Sequence, residues 1–291
     1  MISVVGHTAI DHIFTLPKLP ERHNSVPVLD HKIYFGGGAA NIAAGIAVLG
    51  GDAVLISAVG KDFENSNYDK WLKELGVSGS FFVSEDKNTA TCYLFNDTRG
   101  DQTTVFEWGA SELFKTEDAP ALEFVHMATS DPEFNVRVAE KAEFSSFDPG
   151  QDLIKYTKEE LISIIGNIDI LFANQHEVKR MCDKTGIKKT DFLKNIPVSV
   201  ITMSEEGSEL HVNGNTFRIP AIPVKLEDPT GAGDAYRAGF LTAYKKGCSE
   251  ETCCKIGTTT ASFAVEKTGC QTNLCDWNRM LERYKKYFGE L

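Results

Sequence analysis

The sequence contains no apolar run long enough to cross a membrane as a helix. Its opening residues, MISVVGHTAID, lack the basic stretch that precedes the apolar core of a signal peptide, so they read as a buried first strand of a cytoplasmic protein with no membrane partner. Positive charge is scarce. Thirty Lys and Arg face 41 Asp and Glu, a formal charge of −11, which argues against nucleic acid as the main partner. Small anions held by local backbone dipoles remain compatible with that balance. A cysteine framework is also missing: seven cysteines, at 92, 182, 248, 253, 254, 270 and 275, form an odd set without a C-x2-C pair, which points to free thiols rather than disulfides or structural zinc. The motifs G-x4-G-K-[ST], H-E-x-x-H and G-x-S-x-G do not occur. The seven histidines are scattered, with His176 expected at the surface. There is no internal repeat and no low-complexity stretch.

What is present is an ordinary globular balance, 42% hydrophobic and 24% charged over 291 residues. Short Val- and Ile-rich runs alternate with helical stretches: ISVVG, AVLISAVG, EFVHMATS, EFSSFD, DILFAN and VSVITMS read as strands. AANIAAGIAVLG, SNYDKWLKELG, NVRVAEKA, TKEELISIIGN and QHEVKRMCD read as helices, followed by the LHVNGNTFRIPA hairpin and helices over 232–246 and 250–266. This alternation predicts an α/β fold with a mainly parallel sheet between helices. Residues 12–35 and 89–108 break the rhythm, and the second reads as two strands around the turn NDTRGD. Together they predict a small β-layer. Such a layer forms a lid where it covers a site and a dimer interface where two copies share it.

Ligands of open parallel sheets bind beyond the carboxyl ends of strands, so the polar residues there carry the most weight: Asp11, Asn174, Glu177, Thr202, Asp228 and Thr230. KLEDPTGAGDAYRAGFL (225–241) places small residues at a helix start and then a carboxylate. Gly231, Ala232 and Gly233 would present free N–H groups where the helix dipole adds about half a positive charge, a pocket for an oxyanion or a transferring phosphoryl group. Asp234 has two open roles: it can cap the helix, or it can act as general base on a hydroxyl that attacks phosphorus. GGGAAN (36–41) also opens a helix. A dinucleotide fingerprint fails there, because the third glycine position is Asn41 and the preceding HKIYF is not the first strand of a βαβ unit. The glycines instead allow a polyhydroxylated ligand to lie against Gly37 and Gly38, with Asn41 and Asp11 bonding its hydroxyls.

Over its whole length the sequence resembles the ribokinase-like (PfkB) family of carbohydrate and nucleoside kinases. DPTGAGDAYRAGF fits that family's C-terminal pattern, and GGGAAN, VGKDF and NQHE fall in the expected order. The resemblance implies one ribokinase-like domain over 1–291, with the lid often serving as a dimer clasp. It implies sugar contacts at Asp11, Gly37, Gly38 and Asn41, a catalytic base at Asp234, and an anion hole at 231–233. It also places ATP at Asn174, Thr202 and Gly207, and Mg²⁺ through water at Glu177. A monovalent cation such as K⁺ would lie, mostly through carbonyls, at Asp228, Thr230, Ala264, Lys267, Gly269 and Asn273.

The sequence departs from the pattern at Ser204 and Asn65, where relatives carry glycine, and at DPGQD (148–152), where sugar kinases often read D-P-N-x-R. YFGGGAANIAAGI, SFDPGQD, YRAGFL and GCQTNL look most like archaeal nucleoside kinases of the family. That likeness implies an ATP-dependent homodimer phosphorylating the 5′-hydroxyl of inosine, guanosine, cytidine or adenosine. A sugar kinase of ribokinase or fructokinase type is the alternative. Phe14, Phe106 and Trp108, on the lid segments, are candidates for stacking a base, although lid core or dimer contact is the more ordinary role for each.

Overall fold

The computed structural model describes residues 1–291. Its strands, in chain order, are β1 (Ile2–Val5), β2 (Ala9–Leu16), β3 (Asp30–Gly36), β4 (Ala53–Gly60), β5 (Ser78–Ser84), β6 (Ala90–Asp97), β7 (Gln102–Glu107), β8 (Val125–Met127), β9 (Ser145–Phe147), β10 (Ile170–Asn174), β11 (Val198–Thr202), β12 (Ser208–Val212) and β13 (Asn215–Ile219). The α-helices are α1 (Gly38–Val48), α2 (Asn67–Glu74), α3 (Pro132–Lys141), α4 (Lys158–Asn167), α5 (Gln175–Thr185), α6 (Lys189–Lys194), α7 (Ala232–Lys245), α8 (Glu250–Ala264) and α9 (Trp277–Phe288).

Nine strands form one sheet in the order β13-β12-β11-β10-β9-β8-β1-β4-β5. From β11 through β5 it is parallel, and β12 and β13 add an antiparallel hairpin at one edge. Every residue of β1 is buried between β4 and β8, which is why its sequence, ISVV, is almost wholly apolar. Apolar faces of α1, α7, α8 and α9 cover one side of the sheet, and those of α3, α4, α5 and α6 cover the other. Local chemistry sets the helix starts. Thr157 and Glu160 form a capping box on α4, Asn174 and Glu177 form one on α5, and Asp131 caps α3 ahead of Pro132. Three elements lie outside the sequence reading: the edge strand β5, the short helix α6 and the C-terminal helix α9.

The second sheet has four strands in the order β3-β2-β6-β7. Its register places Tyr34, Asp11, Cys92 and Phe106 in one row on the inner face. The adjacent row, Ile33, His12, Tyr93 and Val105, lies on the outer face, as does the row of His31, Phe14 and Phe95.

Candidate active site

The chain leaves β1 toward β4 and β5, then returns through β8 to build the rest of the sheet, so the direction of winding reverses between β1 and β8. Such a switch point opens a crevice at the carboxyl ends of the strands. There the His7 N–H donates to the Thr129 carbonyl at 3.0 Å. Gly38, at the start of α1, faces Thr129, and a Cβ on it would lie 3.8 Å from Asp234 Oδ1.

Asp234 sits in the first turn of α7 but does not cap it, since no side chain caps this helix. Its Oδ2 instead accepts a hydrogen bond from Asn41 Nδ2 at 2.8 Å. Asn41 is held in turn by Gln271, whose Nε2 donates to Asn41 Oδ1 at 2.9 Å and to the Tyr68 hydroxyl at 2.7 Å. Trp71 Nε1 donates to Gln271 Oε1 at 2.9 Å, and the Tyr68 hydroxyl donates to the Gly36 carbonyl at 2.7 Å. This chain leaves the Asn41 amide one orientation and accounts for one oxygen of Asp234. Burial pushes the Asp234 carboxyl up to about 6, while Arg237 and the Asn41 bond favour its charged form and Asp148 opposes it.

Asp11 reaches the same crevice from β2. Its carboxyl is pushed up to about 7 by burial and then by the charges of Asp234 and Asp228. Any side chain on Gly36 would collide with the Asp11 carboxylate, so the room made by this glycine is taken by Asp11 itself. Gly37 adopts a φ of 91°, and a Cβ there would strike the backbone at His7 to Ala9. Of the three, Gly38 is the one on which a Cβ would point into the crevice.

The turn before α7 is tied to the segment after α8. Asp228 Oδ1 accepts from the Thr230 N–H at 2.9 Å and Oδ2 from the Gly269 N–H at 3.3 Å, and the Glu227 N–H donates to the Val265 carbonyl at 2.8 Å. Asn273 Nδ2 donates to the Phe263 carbonyl at 2.7 Å, and the Lys267 N–H to the Ala264 carbonyl at 3.4 Å. Asp228 and Thr230 on one segment, and Ala264 at the end of α8 with Lys267, Gly269 and Asn273 after it on the other, thus adjoin.

Asn174 and Thr202 pair in register at the ends of β10 and β11. Asn174 Oδ1 accepts from the His176 and Glu177 N–H groups, both at 2.9 Å, and Glu177 Oε2 accepts from the Asn174 N–H at 2.7 Å. The Glu177 carboxyl is pushed up to about 7 by burial and by the negative charge of Asp148. Ser204 and Asn65 both hold positive φ, 52° and 60°. Gly207 has a φ of 92° and lies so close to the Ile219 carbonyl that a Cβ would collide with it.

Several site groups escaped the sequence reading. Gln271 enters the sequence reading only as part of GCQTNL and Tyr68 only within a helix, and the chain of bonds from Asn41 through Gln271 to Tyr68 is what reveals them. His7 Nδ1 lies 2.9 Å from Ser111 Oγ, and its Nε2 lies 3.0 Å from Asp152 Oδ2, within DPGQD. The rings of Phe106 and Trp108 lie 4.9 and 4.7 Å from the His7 ring. Phe14, by contrast, stacks on His31 at 4.2 Å on the outer face, away from Asp11. The alternation of β2 puts it there, so it cannot stack a ligand beside Asp11.

Residues 1–277 match the family described as pfkB family carbohydrate kinase. The chain belongs to that family. It is accordingly a phosphotransferase, and among pfkB relatives it is 44% identical to a nucleoside kinase of Methanocaldococcus jannaschii, over 98% of this chain and 97% of the relative. The crystal structure of a nucleoside kinase from M. jannaschii superposes with a TM-score of 0.93 at 43% identity, covering 98% of each chain. A nucleoside kinase of Burkholderia thailandensis in complex with inosine superposes with a TM-score of 0.90 at 26% identity, covering 100% of this chain and 98% of that one. The α/β architecture with its separate small sheet is therefore the ribokinase-like fold that the sequence predicts.

Proposed function

We propose that this pfkB kinase transfers the γ-phosphoryl group of ATP to the 5′-hydroxyl of a nucleoside, with inosine, guanosine, cytidine and adenosine as candidate acceptors. The observation that carries the reading is Asp234: a carboxylate with a pKa near 6, bonded through one oxygen to Asn41, beside a helix start that no side chain caps. Asp234 accepts the hydroxyl proton as the 5′-oxygen attacks phosphorus. The bond from phosphorus to the β–γ bridging oxygen breaks, and ADP leaves with that electron pair. The N–H groups of Gly231, Ala232 and Gly233 meet the charge that develops on the phosphoryl oxygens.

Asp11, the backbone at Gly37 and Gly38, and Asn41 hold the ribose hydroxyls. An acceptor with a base is favoured by the relatives named nucleoside kinase and by Phe106, on the same sheet face as Asp11. Asn174, Thr202 and Gly207 border the donor. The oxygen-rich set near Glu177 suits a hard cation, because Asp148 and Glu177 repel one another and Glu177 spends only one oxygen on its capping box. Mg²⁺ bound there through water would neutralise the β and γ oxygens. A monovalent cation such as K⁺ fits the two adjoining segments around Asp228. The small sheet serves as a lid that excludes water and, through its outer face, as a homodimer contact. A cytoplasmic setting, where ATP is abundant, fits this chemistry.

The test is ADP release from Mg²⁺-ATP against ribonucleosides, deoxyribonucleosides, ribose, fructose and fructose 6-phosphate, with and without K⁺. Turnover confined to nucleosides supports the reading. Turnover with free sugars alone refutes the nucleoside assignment and makes the protein a sugar kinase.

A further inference from the structure

Arg237 lies one turn into α7 and is only 7% exposed. Its side chain folds back toward the helix start, where a Cβ on Gly233 would collide with Nη1. A cation at that end of a helix is opposed by the dipole. The carboxylates of Asp148, Asp234 and Glu177 offset it, since all three favour the charged guanidinium. Only Asp148 comes into contact, with Oδ2 2.7 Å from Nε, and the Nε–H is not directed at it.

Nε is the buried nitrogen left without a hydrogen-bond partner, and no protein acceptor bonds either Nη group. A guanidinium carries five N–H donors, and one this deeply buried is ordinarily saturated, because each unmet donor costs about 1–3 kcal/mol. These donors instead reach the level of the Gly233 backbone, beside the free N–H groups of the α7 start. The guanidinium fork matches the paired oxygens of a phosphoryl group. A role confined to pairing with Asp148 would use Nε and leave the Nη face unexplained.

We propose that Arg237 is a catalytic residue of the anion hole, its Nη groups bonding the oxygens of the phosphoryl group being transferred. This assignment rests on the phosphoryl-transfer reading above. It separates the γ-phosphoryl group from the rest of the donor, so Arg237 should distinguish ATP from ADP.

The experiment is calorimetric binding of Mg²⁺-ATP and Mg²⁺-ADP to the full chain without acceptor, for the wild type and for Arg237→Met and Arg237→Lys, with thermal unfolding alongside. Arg237→Met should bind Mg²⁺-ADP about as tightly as the wild type and Mg²⁺-ATP about tenfold more weakly, the loss of a charge-assisted bond. With acceptor present, kcat should fall about 100-fold while the acceptor KM holds. Arg237→Lys keeps the charge but not the fork, and should retain the Tm while still losing about tenfold in kcat. Should the Met variant fail to fold, the Lys variant supplies the same comparison.

Two results would overturn the assignment: ATP affinity and kcat unchanged in both variants, or ATP and ADP affinity falling together with Tm, which is the mark of a packing role. A wild type that phosphorylates no nucleoside would refute the proposed acceptor, and the ATP-against-ADP contrast would still decide the role of Arg237.

Discussion

Asn41 and Asp234 stand 193 residues apart in the chain and are joined by a 2.8 Å hydrogen bond from Nδ2 to Oδ2. The bond ties the start of α1 to the start of α7, the two helices that meet over the crevice. It also removes the capping role that the sequence left open to Asp234. A capping carboxylate would accept from the backbone of its own helix, whereas this one accepts from a side chain on another and keeps Oδ1 toward the cleft.

Asp234→Asn should therefore lower kcat by about 10²–10⁴-fold, the usual contribution of a general base, with ATP and acceptor affinities nearly unchanged. In the wild type the base must be ionised, and its carboxyl is pushed up to about 6. Turnover should accordingly rise with pH through about 6 and level off above it. Steady-state kinetics between pH 5 and 8 check both points. An unchanged kcat in the variant would remove Asp234 as base.

Gln271→Leu tests the support behind that pair. The substitution strands the Trp71 N–H, frees the Asn41 amide to turn over, and leaves the Tyr68 hydroxyl without one partner. One stranded buried donor costs about 1–3 kcal/mol, so Tm should fall by several degrees. Loss of Asn41 orientation should raise the acceptor KM more than the ATP KM. A variant that loses stability with acceptor KM unaltered would leave Gln271 a packing role only.

Asp11→Asn separates binding from stability by pH. The folded protein holds the Asp11 proton more tightly than the unfolded chain, because burial and the charges of Asp234 and Asp228 push its carboxyl up to about 7. Between about pH 4 and 7 the folded state thus binds more protons at this site, and its contribution to stability falls as pH rises. The neutral amide escapes that penalty. Calorimetric melting should show the variant gaining more Tm over the wild type at pH 8 than at pH 5, while acceptor affinity drops about tenfold or more for want of a charged acceptor.

The sheet, its flanking helices and most strand-end residues were legible because each follows from a local rule: period-two or period-3.6 patterning, capping boxes, and polar residues just past apolar runs. The edge strand β5 was not, since SGSFFVS mixes serine and glycine into an exposed edge and loses the apolar signature. Helix α9 did leave a signal, with Asp276 as cap and Met280 and Tyr284 buried four residues apart. Glycine patterns located the crevice but not what the glycines make room for: Gly36 accommodates Asp11 and Gly233 accommodates Arg237. Gln271, Tyr68 and Asp152 were illegible, because their significance lies in contacts across more than 100 residues of chain.

The two departures from glycine carry their own test. Ser204 and Asn65 keep positive φ, 52° and 60°, so the backbone conformation persists without the residue that adopts it freely. Asparagine tolerates that region, while serine does so at a cost of roughly 1 kcal/mol. Ser204→Gly should stabilise the fold by up to about 1 kcal/mol in denaturant titrations, and Asn65→Gly should change little. Gly207→Ala should be strongly destabilising, since the Cβ would meet the Ile219 carbonyl. A destabilised Ser204→Gly would mean that the serine side chain makes up for its strained backbone.

The outer face of the small sheet bears the last prediction. Ile33 and Val105 are 59% and 52% exposed at the two ends of a row that includes His12 and Tyr93. Beside it Phe14 stacks between His31 and Phe95, at 4.2 and 5.1 Å. His12 Nδ1 lies 3.0 Å from His31 Nε2, and partial burial followed by the His31 charge lowers the His12 pKa. A sheet face with this much exposed apolar and aromatic surface is what a second copy would cover. Ile33→Lys with Val105→Lys would place like charges across the two-fold contact without touching the inner face that carries Asp11. Sedimentation should show a dimer for the wild type and a monomer for the double variant at neutral pH. A wild type that sediments as a monomer across the micromolar range would refute the homodimer and leave the sheet its role as a lid.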